Sequence, residues 1–291
     1  MILLKKFINL IRAIYNIPFR IILLIGHLYS SLLKIIDNRN HDSFWEEMLQ
    51  KKIDKKISKG IKISNSEEIK FYIPSEISAY RIKTFFTKEP DTIDWIDSKG
   101  NNEKIFYDVG ANMGIYTIYY AKKFKSQVYA FEPSFKNLDL LIKNINLNLL
   151  ADQVHVISNP LSKKFILSNF FQIKSTAGLA GATFNDDLVK KNIISKNKEK
   201  NKNSLEYKTL GLSIDNLTEL NLIKKPNLLK VDVDGNELDV IEGCKNTIKE
   251  SKEISILVET RKETDNNIKK ELEVLGLKKI SQTRNNSIWE K

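Results

Sequence analysis

Residues 106–117 read FYDVGANMGIYT, and the order of residue types in this stretch decides the fold. An apolar run beginning at Ile105 reads as a strand, with an acid, Asp108, at its end. Gly110 and Gly114 mark the turn that follows, and a helix begins at about Gly114. Glycine at such a turn lets the backbone pass close to a ligand where any β-carbon would clash. The spacing is G-x-x-x-G, not the G-x-G-x-x-G of dinucleotide sites. It therefore suits a nucleoside ligand without a pyrophosphate. A carboxylate before the turn points the same way, because it repels phosphate and attracts an ammonium.

The next strand, QVYAFE, ends at Glu132, 24 residues after Asp108. An acid at that place accepts hydrogen bonds from both ribose hydroxyls. S-adenosylmethionine has the matching groups: an ammonium, a ribose, an adenine and no phosphate. From Ile105 onward strand and helix alternate. QVHVIS is a third strand, NLLKVDV a fourth and ISILVE a fifth, with LKKISQT and NSIWEK forming a terminal hairpin around Asn285 and Asn286. Such alternation implies an α/β fold, a mostly parallel sheet with helices on both faces and an antiparallel hairpin at its edge. The helix after the second strand shows Leu138, Leu141, Ile142, Ile145 and Leu149 on one face, and the helix after the fourth shows Leu238, Ile241, Cys244 and Ile248.

Upstream, residues 41–60 read as a charged helix ended by Gly60. A hairpin turning at Ser64–Ser66 and a mainly helical lead-in follow, as far as residue 100. The expected organisation is an N-terminal helical segment over 1–60, the hairpin and lead-in over 61–100, and a cofactor-binding domain over 101–291 with a variable insert at 161–210. Within that insert FILSNFFQI reads as an added strand, STAGLAGATF as a small-residue loop and KKNIISKNKEKNKNS as a polar segment.

Three stretches, DVGANMGIYT, FEPSFKNLDLLIKNINLN and LKVDVDGNELDVIEG, together resemble the signature stretches of FkbM-type, S-adenosylmethionine-dependent methyltransferases. KEPDTIDWI and NNSIWEK are similar as well, so the resemblance runs from about Arg81 to Glu290. It implies a seven-stranded, Rossmann-like class I methyltransferase fold and O-methylation, often of sugars in glycans, lipopolysaccharide or polyketides. By resemblance and position, Asp108, Gly110, Asn112 and Gly114 surround the methionine end of the cofactor. Tyr116 and Thr117 bind its carboxylate through the helix start, or simply pack there. Glu132 holds the ribose, and Asn159 either contacts the adenine or forms a turn. The family usually has a glutamate where this chain has Asp234, which leaves the role of that residue open.

Transfer of a methyl group from a sulfonium needs an aligned oxygen nucleophile and a route for its proton. Of three histidines, His27 and His41 are N-terminal and His155 lies within a strand. The candidates that remain are carboxylates at the carboxyl edge of the sheet, where α/β proteins bind ligands: Asp232, Asp234, Glu237 and Glu259. Asp232 and Asp234, two apart at a strand end, would share a face and could also hold a metal for a sugar nucleotide. That pattern keeps a metal-dependent glycosyltransferase open as an alternative. A cofactor-binding membrane scaffold without catalysis is a further alternative, and no metal site is assigned.

The net charge of +11 suggests nucleic acid until it is located. Residues 1–36 hold Lys5, Lys6, Arg12, Arg20 and Lys34 with no acid, and Lys190–Ser204 holds six lysines against Glu199. The remainder is close to neutral, so the core has no nucleic-acid footprint. One cysteine, Cys244, excludes a disulfide framework and fits a reducing, cytoplasmic setting. Residues 1–16 form a basic amphipathic pattern, and thirteen uncharged residues lie between Arg20 and Lys34, short of the roughly 20 that span a bilayer. Residues 1–36 thus read either as a peripheral anchor on the inner face of the cytoplasmic membrane or as a helical hairpin that packs on protein. The expected partner is a small-molecule or glycan acceptor.

Overall fold

The computed structural model describes residues 17–36, 58–172, 178, 180–184, 204–260, 265–283 and 285–291. The chain divides into two units, Met1–Ile57 and Ser58–Lys291. In the first, the described part is a single helix, α1 (Ile17–Ile36), which contains the uncharged stretch. Its Ile21, Ile22, Leu24, Ile25, Leu28 and Tyr29 are all exposed. Among the described residues no helix is long and apolar enough to cross a membrane. The helix expected over 1–16 lies outside the described residues, as does 41–57 of the charged helix. Gly60 does not end that helix, because Ser58–Lys62 is strand β1, paired antiparallel with β2 (Glu68–Tyr72).

In the second unit β2 leads to α2 (Glu76–Lys83) and α3 (Pro90–Lys99). The lead-in is two helices because the chain turns after Thr84 and Pro90 starts the second, a position where its missing N–H costs nothing. Then come β3 (Phe106–Val109), α4 (Ile115–Phe124), β4 (Val128–Phe131), α5 (Phe135–Leu147) and β5 (Val154–Ile157). The insert supplies β6 (Ile166–Gln172), β7 (Ala182–Phe184) and β8 (Leu205–Gly211). The chain ends with α6 (Ile214–Glu219), β9 (Leu228–Val231), α7 (Glu237–Glu242), α8 (Lys245–Glu250), β10 (Ser255–Glu259), α9 (Asp265–Val274), β11 (Lys278–Gln282) and β12 (Asn286–Glu290).

Seven strands form one sheet in the order β11-β12-β10-β9-β3-β4-β5. β3, β4, β5, β9 and β10 run parallel, and β12 and β11 complete the edge antiparallel. This is the mostly parallel α/β sheet with a C-terminal hairpin that the sequence implies. Because strand side chains alternate, Phe106 and Asp108 face one side, and Tyr107 and Val109 the other. Phe106, Val128, Ala130 and Leu228 enter one core cluster with Ile118, Leu141 and Ile145. Tyr107, Val109, Phe131, Leu229, Val231 and Ile256 enter a second with Ile241, Ile248 and Leu272. Strand order reverses between β3 and β9, and ligands bind where the loops from such neighbours part.

Three local expectations change. α5 buries Asn137, Leu140, Leu141, Asn144 and Ile145, whereas Ile142 and Leu149 are exposed. Two asparagines turn inward because each bonds to backbone: Asn144 donates to the Met113 carbonyl and accepts from Tyr72 N–H, and Asn137 accepts from Gly178 N–H. The helix after β9 is broken into α7 and α8 at Gly243, where a β-carbon would stand 2.2 Å from the Ser162 carbonyl oxygen. Finally, β9 stops at Val231, so Asp232 and Asp234 lie in a turn with Asp234 (φ 56°) and Gly235 (φ 115°) left-handed. The one-face argument for the pair therefore fails: it applies to strands, and the chain has left the strand.

Candidate functional site

Gly110 has φ 84°, and a β-carbon on it would stand 1.9 Å from the carbonyl oxygen of Asp232. Only glycine fits there, because the turns that leave β3 and β9 touch at this point. Beside this contact opens a cleft. Gly110, Asn112, Glu132, Asn159, Asp232 and Asp234 line it, together with Arg81, Asn137 and Asn236. Its far wall comes from the insert: Phe170, Ala180, Gly181, Ala182 and Phe184.

Glu132 is the acid of the floor, only 5% exposed. One carboxylate oxygen accepts from Asn112 N–H at 2.7 Å and the other from Ser134 N–H at 2.8 Å. Burial pushes its pKa up to about 7, against the opposing pull of those N–H donors and of Asn137. Three of its four acceptor sites are thus taken, and one is left for a ribose hydroxyl.

Asp108 does not line the cleft. It is wholly buried behind it, with Oδ2 accepting from the N–H and hydroxyl of Thr117 at 3.1 and 2.7 Å. Its other oxygen makes no hydrogen bond and faces the ammonium of Lys230 at 3.7 Å. Lys230, 2% exposed in β9, also donates to Asp232 Oδ2 at 3.1 Å and lies over the Tyr116 ring. Burial would push the lysine down, but Asp232 and Asp108 outweigh it and hold the ammonium charged. For Asp108 burial wins and raises its pKa. For Asp232 burial loses to Lys230, Arg81 and Lys88, which hold it below the usual carboxylate range. The difference follows the cations: Asp232 has a hydrogen bond from Lys230 and the charges of Arg81 and Lys88 as well, whereas Asp108 has Lys230 alone and the repulsion of Asp232.

Thr117 and Tyr116 are committed elsewhere: the tyrosine hydroxyl donates to Glu89 at 2.8 Å. Gly114 (φ 85°) caps α4 against Leu141. Glu237 is fully buried, and its Oε1 accepts from Gly235 N–H at 3.0 Å, bracing the Asp232–Asn236 turn. Asp108, Gly114, Tyr116, Thr117 and Glu237 therefore support the cleft wall without lining it, and Glu259 does not line it either. Asn159 does line it and donates to the Leu210 carbonyl in the insert. His155 stacks on Tyr129, and His27 is exposed on α1.

The insert is fastened across the cleft by side chains from the turn after β9 and from α2 and α5. Asp234 Oδ2 accepts from Gly181 N–H at 2.6 Å, and Asn236 grips Phe184 through both its N–H and its carbonyl. Asn137 accepts from Gly178 N–H, and Arg81 Nε donates to the Gly178 carbonyl at 2.7 Å. Sequence reasoning missed Arg81, Lys230, Asn137 and Asn236. Lys230 left a signal, a lone charge inside the apolar run Leu228–Val231. The others left none.

No group of three or more His, Cys, Asp or Glu that could hold a metal occurs among the described residues. A glycine cradle with a buried acid across it, at the switch point of a doubly wound sheet, defines a nucleoside-binding α/β protein. The chain belongs to the family of the methyltransferase FkbM domain, whose model matches residues 108–282. It is 27% identical over 179 residues to the hexuronic acid methyltransferase AglP of Haloferax volcanii, covering 62% of this chain and 65% of that one. It is 28% identical over 149 residues to methyltransferase 1 of Beauveria bassiana, covering 49% and 59%. The chain thus spans somewhat less than two thirds of the length of either relative. Among solved structures, methyltransferase FkbM of Methylobacillus flagellatus is 14% identical with a TM-score of 0.43, covering 75% of this chain and 56% of that one. Magnesium protoporphyrin IX methyltransferase of Synechocystis, with bound SAM, is 11% identical with a TM-score of 0.42, covering 75% and 84%.

Proposed function

We propose that the protein is an S-adenosylmethionine-dependent O-methyltransferase whose acceptor is a sugar hydroxyl in a glycan, lipopolysaccharide or related polymer. The observation that carries this reading is the pairing of Gly110 with Glu132 across one cleft: a backbone with no β-carbon beside a carboxylate with an acceptor site left for a ribose hydroxyl. Family membership and the similarity to a hexuronic acid methyltransferase support the transfer and the sugar class. When bound, the cofactor supplies a methyl group on a sulfonium.

The residues of the chain do the rest. Glu132 and Asn112 hold the nucleoside, and Asn159 borders its base. Phe170 and Phe184 exclude water from above the cleft. Asp232, kept ionised by Lys230, is a weak proton acceptor and serves as a fixed negative charge for the amino-acid end. Asp234, at the edge of the insert, accepts the proton of the acceptor hydroxyl. The test is transfer of labelled methyl from S-adenosylmethionine to uronic-acid-containing and neutral oligosaccharides, with Asp234→Asn alongside. Methyl ether on a sugar supports the reading. Tight cofactor binding with no acceptor methylated would favour the scaffold alternative.

For the first unit we propose a peripheral contact with the inner face of the cytoplasmic membrane. It rests on the exposed Ile21, Ile22, Leu24, Ile25, Leu28 and Tyr29 of α1 and on the basic residues around them. Flotation with anionic vesicles of the full chain against a chain starting at Ser58 tests it. Equal behaviour removes the anchor.

A further inference from the structure

Arg81, on α2, lines the cleft and carries no ion pair among the described residues. Its Nε is fixed on the Gly178 carbonyl at 2.7 Å, which orients the guanidinium, while its two terminal nitrogens make no hydrogen bond among the described residues. Other cations near the cleft are taken: Lys88 pairs with Glu89 at 2.8 Å, and Lys230 with Asp108 and Asp232. Asp232 shows the complementary pattern. Its Oδ2 is bound by Lys230, and the side chain is otherwise open to the same cleft. Arg81 is near enough to help hold Asp232 ionised, yet the two do not close into an ion pair. A positive fork and a negative carboxylate that face one cavity without quenching each other fit a ligand carrying both charges on adjacent groups.

We propose that Arg81 and Asp232 form the subsite for an α-amino-acid zwitterion, Asp232 taking the ammonium and Arg81 the carboxylate of the cofactor's methionine end. The proposal rests on the methyltransferase reading above and moves two roles. The ammonium goes to Asp232 because Asp108 is sealed behind the wall. The carboxylate goes to Arg81 because Thr117 is committed to Asp108 and Tyr116 to Glu89. A bidentate guanidinium–carboxylate contact is also the strong, geometrically fixed kind.

The experiment measures binding by calorimetry of two probes: S-adenosylhomocysteine, which carries the zwitterion, and 5′-methylthioadenosine, which keeps the nucleoside and lacks it. Arg81→Ala and Asp232→Asn should each weaken S-adenosylhomocysteine about 10- to 100-fold and leave methylthioadenosine unchanged. Circular dichroism confirms that each variant is folded. Equal weakening of both probes by Arg81→Ala would mean that the residue only fastens Gly178, and would overturn the proposal. No weakening of either probe, with loss of binding to free glucuronate instead, would assign Arg81 to an acceptor carboxylate and also overturn it. Failure of the unaltered chain to bind S-adenosylhomocysteine would sink the underlying reading, a result distinct from these.

Discussion

The cleft has two walls built by different means. The floor is made of strand ends: β3, β4 and β9 deliver Gly110, Glu132 and Asp232 from a sheet buried on both faces, and their positions follow from strand register. The opposite wall is the β7-β6-β8 sheet, a surface element held down by hydrogen bonds from Asp234, Asn236, Asn137 and Arg81. A wall set by the core is rigid and common to many ligands. A wall set by a few polar contacts can change with the acceptor while the floor stays the same.

Breaking the floor should cost most. Lys230→Met leaves Asp108 and Asp232 without their shared cation in a buried setting, a loss of about 3–5 kcal/mol of stability by chemical denaturation. A loss under 1 kcal/mol would show that the network is not structural. Gly110→Ala forces a β-carbon against the Asp232 carbonyl at positive φ. About 2–3 kcal/mol of destabilisation and loss of S-adenosylhomocysteine binding should follow.

Glu132 sharpens the comparison without breaking the fold. Glu132→Ala should weaken S-adenosylhomocysteine by about 1–3 kcal/mol. The unaltered chain should bind it more tightly as pH rises, levelling off above about 7, because the raised pKa leaves the acid partly protonated below that point and the ionised form is the stronger acceptor for a ribose hydroxyl. By itself the same raised pKa lowers stability as pH rises from the ordinary carboxylate range to about 7, since the folded state holds that proton longer. A pH-independent affinity would contradict the assigned role.

The smallest effect belongs to the opposite wall. Asn236→Ala releases the backbone of Phe184, for about 1–2 kcal/mol of stability. It should raise KM for the acceptor while cofactor affinity stays constant. Equal effects on both would mean that the two walls are not separable.

The floor was legible because its signals are local. Apolar runs gave the strands, Gly110 and Gly114 gave the turn, and the spacing to Glu132 gave the second strand end. That Asp232 lies at the cleft was legible, but its pairing with Asp234 was not. Strand alternation was assumed where a left-handed Asp234 and Gly235 already bend the chain. Asp108, Thr117 and Tyr116 were placed one layer too far forward, because a sequence shows which residues are polar near a turn and not which of them satisfy one another. The opposite wall was illegible for a similar reason. Arg81 and Asn137 act through the backbone of Gly178, 97 and 41 residues away, and no periodicity encodes such a contact.

Everything proposed for the site requires that the cleft between Gly110 and Glu132 take S-adenosylmethionine and not a sugar nucleotide. Calorimetry of the full chain with S-adenosylhomocysteine, set against UDP-sugars with manganese, tests it most directly. The account predicts one-to-one binding of S-adenosylhomocysteine without added metal, and no heat from the nucleotide sugars. Heat with a UDP-sugar that requires manganese, and none with S-adenosylhomocysteine, would contradict it.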